Sequence, residues 1–344
     1  MDARPATTRP ETRGRLRWRV ADAAAEGGAP TEAGAGQLPL FGPGPEREIG
    51  RGEFRGLEFV HVRARTIVNR VDARSPVPFR YTINAYRGCS HACTYCFARP
   101  THEYLGLDPS TEFDRVIVVK LNAVERLRVE LAPKRWQGDH IAMGTNTDPY
   151  QRAEGKYRLT RGIVEVLSAA RNPFSILTKG TLVLRDLDVL DEASRRTDVS
   201  LNFSIGTLDE EVWRATEPGT PHPLKRVEAV ARLNEAGIPC GVLVAPVLPG
   251  LSDRDDQLDA VVRACVEAGA TSISAVLLHL RRGVREHYLA TLATSRPELL
   301  DLHERRYGAN AYGPAEERDR VGRTVQELVR RHRARRATPR AGQR

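Results

Sequence analysis

Six short apolar runs alternate with helical patterns through the middle of the chain, and this alternation limits the fold more than any other feature. Strands buried on both faces appear as near-continuous apolar runs, and the intervening helices imply a parallel sheet covered by helices. We therefore predict an α/β fold, a partial (β/α)6 barrel of the TIM type with its chemistry at the C-terminal ends of the strands. The runs are RYTINAY, HIAMGT, FSILTK, VSLNFSIGT, CGVLVAPVL and SISAVLLHL, with an additional run, RVIVV, between the first and second.

Amphipathic helical patterns separate most of these strands, and several end at glycine or before proline, as helix C-termini commonly do. The patterns are TRGIVEVLSAARN, VLRDLDVLDEASRR, PHPLKRVEAVARLNEAG and DRDDQLDAVVRACVEAG, with a shorter one in DEEVWRATE.

The two ends of the chain differ in composition from this core. Residues 1–57 are rich in Ala, Gly, Pro, Glu and Arg, which predicts a disordered segment or linker. Residues 58–312 are expected to form the core domain. Residues 313–344 include RRHRARRATPRAGQR and are expected to form a basic helix or tail.

Composition excludes several classes of protein. No apolar run reaches the ~18 residues of a membrane span, and the N-terminus lacks the apolar region of a secretory signal, so we expect a cytoplasmic protein. Five cysteines in such a protein argue against a disulfide scaffold. The net charge of +9 is compatible with a nucleic-acid partner, although the same charge can simply maintain solubility.

Three of the cysteines, Cys89, Cys93 and Cys96, follow the first strand with the spacing C-x3-C-x2-C. A structural zinc site would need a fourth ligand, for which His102 is the candidate. A nucleophilic cysteine would need only one thiol and a base. An iron–sulfur cluster can take thiolates from one short loop, and three ligands leave one iron open.

The cysteine spacing, with Tyr95 directly before the last cysteine and a strand before the loop, resembles the radical S-adenosylmethionine (SAM) superfamily. The resemblance implies a 4Fe-4S cluster on Cys89, Cys93 and Cys96 whose open iron chelates SAM. It also implies an external electron donor, whose electron would cleave SAM to a 5′-deoxyadenosyl radical that takes hydrogen from the substrate. The protein would orient these cofactors and exclude water and oxygen.

Polar residues after the next strands are candidates for SAM contacts. Lys179 can pair with the SAM carboxylate, or can be a solvated strand end. Ser204 can bind carboxylate or ribose. The segment GTNTDPYQ can receive the amino group or form an ordinary turn. The candidates are Tyr95, Thr145, Asn146, Lys179 and Ser204; the catalytic residues are not identified by the sequence.

The remaining cysteines are expected to be structural. Cys265 lies in an amphipathic helical pattern and is expected to pack as an apolar residue. Cys240 begins the fifth strand, which is the end opposite to the chemistry in this fold.

The motifs CSHACTYCFARPTHEYLGL, GTNTDPYQ, LTKG, FSIGT and EPGTPHPLKRVEAV together resemble the spore photoproduct lyase-like, or DNA repair photolyase-like, group. This resemblance implies a lyase-like enzyme acting on nucleic acid. One departure is that MGTNTD lacks the cysteine that spore photoproduct lyase uses as a hydrogen donor. The alternatives are a radical SAM enzyme acting on a protein or small metabolite, which the lack of an evident base-stacking aromatic cluster favours, and a non-catalytic zinc module contacting nucleic acid.

A short peptide in the N-terminal segment, GQLPLFG, resembles the bacterial sliding-clamp-binding pentapeptide. Gln37 and Leu38 begin the match, and Leu40 and Phe41 would fill an apolar pocket on the clamp. A disordered tether suits such a peptide because it can order on binding. The alternative is an apolar patch that packs the segment onto the domain.

Overall fold

The computed structural model describes residues 18–20, 46–75, 77–132 and 136–337. The strands are β1 (Trp18–Val20), β2 (Arg47–Ile49), β3 (Glu58–Ala64), β4 (Val68–Arg70), β5 (Tyr81–Ile83), β6 (Tyr86–Arg87), β7 (Val116–Lys120), β8 (Ile141–Met143), β9 (Phe174–Thr178), β10 (Val199–Ser204), β11 (Cys240–Val247) and β12 (Ile273–Leu277). The helices are α1 (Ala123–Leu131), α2 (Arg152–Tyr157), α3 (Leu159–Ala169), α4 (Leu187–Arg196), α5 (Glu210–Thr216), α6 (Pro223–Glu235), α7 (Asp255–Glu267), α8 (Val284–Ser295), α9 (Leu300–Tyr307) and α10 (Ala315–Ala337).

The main sheet confirms the predicted α/β architecture. Its strand order is β12-β11-β10-β9-β8-β5-β4, and the six strands from β5 to β12 in this sheet run parallel. Each of the six contains one of the apolar runs identified in the sequence. The described strands form an open, partial barrel, because β12 and β4 are the edges of this sheet.

The additional run RVIVV forms β7 and belongs to a second sheet. There β3 pairs with β7 in parallel, while β1 and β2 pair with β3 and β6 pairs with β7, all antiparallel. Because β6 directly precedes the cysteine loop, this second sheet fixes where the loop starts.

Two short strands lie within residues 1–57, the segment expected to be disordered or linker. Trp18–Val20 pair with β3, and Arg47–Ile49 pair with the same strand. Leu57 is buried in the main core, so the fold extends into this segment.

The C-terminal region forms a helix, as expected, but α10 is an integral part of the fold. Val321 and Val325 are buried in the main core, and Arg333 donates to the carbonyls of Ala270 and Thr271. The basic side chains on the rest of α10 remain on the surface, which explains why the sequence pattern resembles a tail.

Candidate active site

A cavity of about 220 Å³ lies at the C-terminal ends of the parallel strands. Its walls are the cysteine loop (residues 88–97), the segments that follow β8 and β9, and the ends of β10, β11 and β12. This is where α/β folds place their functional residues. The predicted site residues that line it are Cys89, Cys93, Tyr95, Cys96, Asn146, Lys179 and Ser204.

The cysteine loop begins with a backbone turn that requires glycine. Gly88 has φ of +77°, and a Cβ there would lie 2.7 Å from the Val116 carbonyl oxygen and 2.9 Å from that of Phe113. Cys89 N then donates to the Phe113 carbonyl at 3.0 Å. Close backbone packing therefore sets the position of the first thiol.

Buried side chains join the loop to the segment after β8. The Gln151 side chain accepts from Ser90 N at 2.9 Å and donates to the Gly88 carbonyl at 2.9 Å. Thr147 Oγ1 donates to the same carbonyl at 2.6 Å. Gln151 is fully buried, so these bonds are shielded from water and hold the loop against the sheet.

Arg99 holds the second cysteine from the other side. Its guanidinium donates twice to the Cys93 carbonyl, at 3.2 and 3.1 Å, and its Nη2 also contacts both carboxylate oxygens of Asp114, at 2.9 and 2.8 Å. A buried guanidinium is stable only when its donors are paired, and here they are. Hydrogen bonds from side chains of this protein therefore hold the cysteine loop in place.

The three loop thiols are free, and burial raises the pKa of each. The negative charges of Asp148 near Cys89 and of Glu217 near Cys93 raise the pKa further. A nucleophilic cysteine needs a depressed pKa, so this environment does not suit one. It suits ligands of a cationic centre, because a metal deprotonates its coordinating thiols. The donor set therefore fits an iron–sulfur cluster.

Lys179 faces the cavity from the end of β9. Its ammonium bonds to the Ser204 hydroxyl, which in turn donates to the Ala245 carbonyl at 2.7 Å. The ammonium also lies 3.6 Å from a Glu217 oxygen and 5.8 Å from the centre of the Tyr95 ring. The cation predicted from the sequence is therefore held in the cavity rather than solvated.

Glu217 holds Tyr95 and Lys179 in place. It accepts from the Tyr95 hydroxyl and pairs with Arg226, and all three side chains are buried. Burial alone would raise the pKa of Glu217, but the charges of Arg226 and Lys179 and the Tyr95 hydrogen bond lower it to about 2. Glu217 is therefore ionised at neutral pH.

A second carboxylate, that of the half-buried Asp148, also lines the cavity. It is 3.3 Å from His91 Nδ1 and accepts from Thr178 Oγ1 at 2.6 Å and from Lys179 N at 2.7 Å. Burial opposes its ionisation, but these partners lower the pKa of Asp148 to about 2. The carboxylate links the cysteine loop, through His91, to the end of β9.

Two sequence expectations about polar residues have different outcomes. Thr145 does not belong to the cavity lining; its hydroxyl instead accepts a long, 3.5 Å hydrogen bond from Asn84. The strand end turns so that Asn146 reaches the cavity and Thr145 does not. His102, the candidate fourth zinc ligand, is buried with Nε2 3.0 Å from the Val116 carbonyl and does not belong to the cavity lining.

Cys240 and Cys265 are buried in the main core, away from the cavity lining. The clamp-like peptide containing Gln37, Leu38, Leu40 and Phe41 lies outside the described residues.

Sequence reasoning missed the residues that support the site. Glu217 stood in a quoted motif, but no local signal links it to Tyr95. Arg99 resembled one more arginine in an arginine-rich chain. Asp148 could have been recognised as a carboxylate directly after a buried strand, although it was interpreted only as a possible turn. Residues that act through a distant partner leave little trace in local spacing.

Known proteins resemble this chain at two levels. Residues 83–262 match the radical SAM superfamily. An uncharacterised protein of Mycobacterium tuberculosis (strain ATCC 25618 / H37Rv) is 43% identical over 319 residues, which cover 92% of this chain and 93% of that protein. An uncharacterised protein of Methanocaldococcus jannaschii is 29% identical over 197 residues, covering 57% of this chain and 70% of that protein.

Solved structures resemble the fold. Spore photoproduct lyase complexed with dinucleoside spore photoproduct has a TM-score of 0.60 and 19% identity, covering 80% of this chain and 79% of that one. A mutant of the same enzyme with bound AdoMet and dinucleoside spore photoproduct has a TM-score of 0.57 and 19% identity, covering 76% of each chain.

The chain belongs to the radical SAM superfamily and is an enzyme of that class. Its fold is that of spore photoproduct lyase. In the described part of the chain, helices of the length and apolarity needed to cross a bilayer are absent.

Proposed function

We propose that this enzyme binds a 4Fe-4S cluster through Cys89, Cys93 and Cys96 and uses it to cleave SAM reductively. The observation that carries the proposal is that three free thiols, two of them buried and that of Cys96 half-buried, line one cavity together with Lys179. When bound, the cluster passes an electron from an external donor to the SAM sulfonium, which yields methionine and a 5′-deoxyadenosyl radical.

The protein's own residues hold the cofactor. An ammonium has three donors, so Lys179 can bond to Ser204 and still bind the SAM carboxylate. Asn146 lines the same cavity, and its amide oxygen can bind the SAM amino group. Tyr95 acts as a positioning residue, because its hydroxyl is already bound to Glu217 and its ring lies beneath Lys179.

We further propose that the substrate is nucleic acid. The resemblance to spore photoproduct lyase, whose solved complexes contain a dinucleoside photoproduct, and the net charge of +9 support this class. Because the chain's other cysteines are in the core, its hydrogen-donor chemistry must differ from that of a lyase that uses a cavity cysteine. A protein or small-metabolite substrate is the alternative.

Anaerobic reconstitution with iron and sulfide, followed by addition of SAM and a strong reductant, tests the proposal. We expect about four irons and four sulfides per chain and production of 5′-deoxyadenosine. Zinc in place of iron would support the non-catalytic module instead. Among the residues that the structure describes, no three His, Cys, Asp or Glu side chains are already placed to hold a metal ion, Cys89, Cys93 and Cys96 included, so binding of either metal requires the loop thiols to move closer together. Reconstituted protein that contains the cluster but leaves SAM intact would contradict the proposed reaction.

A further inference from the structure

Three aromatic rings form a series that begins at the cavity and ends at the protein surface. Phe97 directly follows the last loop cysteine, and its ring centre is 6.0 Å from that of His279. His279 in turn stacks on Tyr312, with 5.6 Å between centres and 28° between planes. Phe97 and His279 line the cavity. We call Phe97, His279 and Tyr312 the ring series.

The first and last rings of the series, those of Phe97 and Tyr312, are accessible to a ligand. Phe97 is 45% exposed and Tyr312 is 47% exposed, whereas most large apolar side chains of the fold are buried. These two half-exposed rings, one on each side of His279, leave apolar surface in contact with water. Exposed apolar patches of this kind mark binding surfaces. Burial and the nearby charge of Arg281 lower the pKa of His279, so it presents a neutral aromatic face at physiological pH.

The backbone holds the ring series rigidly. His279 and Tyr312 form an antiparallel bridge, and Leu280 N donates to the Ala311 carbonyl at 2.6 Å. Tyr307 also donates to the Leu278 carbonyl at 2.7 Å. The surface ring is therefore pinned to the end of β12, and little conformational entropy would be lost when a flat ligand stacks there.

Guanidinium groups surround the outer end of the series. The Arg318 guanidinium carbon lies over the Tyr312 ring, 5.7 Å from its centre. Arg281 reaches the Tyr312 hydroxyl at 3.4 Å. Aromatic faces beside arginines are the combination that binds unpaired bases and their phosphates in single-stranded nucleic acids.

We propose that the ring series is a stacking subsite for unpaired bases of a single-stranded nucleic acid that enters the cavity. A base next to the one that reacts stacks on Tyr312 in place of the Arg318 guanidinium, which moves off the ring and, with Arg281, meets the phosphates. This inference rests on the proposed function, which places the reacting nucleotide in the cavity beside the cysteine loop. The ring series starts at that loop, at Phe97.

Fluorescence anisotropy with labelled 12-nucleotide oligothymidylate and oligouridylate, added to the anaerobically reconstituted full chain, tests the subsite. We expect one or both oligonucleotides to bind, and Tyr312→Ala to weaken binding by about 5- to 150-fold, the range for loss of one stacked base. Tyr312→Phe should retain binding because the aromatic face remains. Arg318→Ala should reduce the salt dependence of binding by about one phosphate contact.

Tyr104 provides the matched control, since it is a 71% exposed tyrosine outside the ring series. Tyr104→Ala should bind like the wild type. Failure of the wild type to bind either oligonucleotide, or equal weakening by Tyr104→Ala and Tyr312→Ala, would overturn the subsite. A parallel assay of SAM cleavage separates the two proposals. Cleavage without oligonucleotide binding rejects the subsite alone, and the expected binding pattern without cleavage rejects only the proposed reaction.

Discussion

The Tyr95 hydroxyl donates a hydrogen bond to the carboxylate of Glu217, although 122 residues separate the two in the chain. Through this bond the cysteine loop is joined to the buried pair that Glu217 makes with Arg226. The same carboxylate lies 3.6 Å from the Lys179 ammonium. The loop that carries the thiols and the cation that faces them therefore share one buried anchor.

Removing the charge of that anchor should destabilise the fold. Glu217→Gln leaves Arg226 buried beside a neutral partner, and breaking a buried pair in this way costs about 3–5 kcal/mol. Urea denaturation at pH 7 measures the loss. Asp191→Asn on α4 is the control, because Asp191 pairs with Arg195 in an exposed pair worth about 0–1 kcal/mol. Equal losses in the two variants would contradict the anchor.

Acid should reveal the same carboxylate. The folded-state pKa of Glu217 is lowered to about 2, so its contribution to stability is present above the unfolded pKa of about 4.3 and is lost as the pH falls from there towards 2. Asp148, also with a pKa of about 2, contributes over nearly the same window. Stability measured from pH 6 to pH 2 should therefore fall less steeply in Glu217→Gln than in the wild type, and parallel curves would refute this assignment.

Substitution of a proposed cluster ligand should have a different effect from substitution of a core cysteine. Cys93→Ala should lose iron and 5′-deoxyadenosine production, because three thiolates are needed to hold the cluster. Cys265→Ala should keep both, since Cys265 is packed in the main core. Iron and sulfide analysis after anaerobic reconstitution measures the difference. Full activity of Cys93→Ala would remove the cluster from this loop; Cys89 and Cys96 should behave as Cys93 does.

Lys179→Ala should weaken SAM binding more than cluster assembly. The lost charge-assisted contact is worth about 1.5–3 kcal/mol, or roughly 10- to 150-fold in the dissociation constant. Titration of the cluster's EPR signal with SAM measures this constant. Lys225→Ala, which removes an exposed lysine of α6, is the control and should leave it unchanged. An unaltered constant in Lys179→Ala would show that another group binds the carboxylate.

Gly88→Ala should displace the cysteine loop. The φ of +77° penalises any side chain, and the new Cβ would also meet two carbonyl oxygens below 3.0 Å. Gly237 has the same φ of +77° with nothing within 4 Å of a Cβ, so Gly237→Ala carries the strain alone. We expect Gly88→Ala to cost about 1–3 kcal/mol more than Gly237→Ala in urea denaturation and to lower iron content. Similar results for both alanines would mean that the loop tolerates the crowding.

Much of the fold was predictable because its signals are local. The six parallel strands were recognisable as apolar runs. The glycines that follow α6 and α7 were recognisable from their position at the ends of the helical patterns. The strand Arg47–Ile49 was not predicted because it is a polar edge strand, whose partner β3 supplies the order that its own sequence does not suggest.

The spacing of Cys89, Cys93 and Cys96, together with Tyr95 and the preceding strand, was enough to indicate the radical SAM superfamily, because these signals all lie in one short stretch of the chain. Only the tertiary structure decided what faces those thiols. The sequence contained no evident aromatic cluster, yet folding brings Phe97, His279 and Tyr312 into one series. Phe97 and His279, 182 positions apart in the chain, meet there because the parallel strands of the main sheet all end at the same edge. The order of residues along the chain does not show which of its aromatic and charged side chains will share that edge.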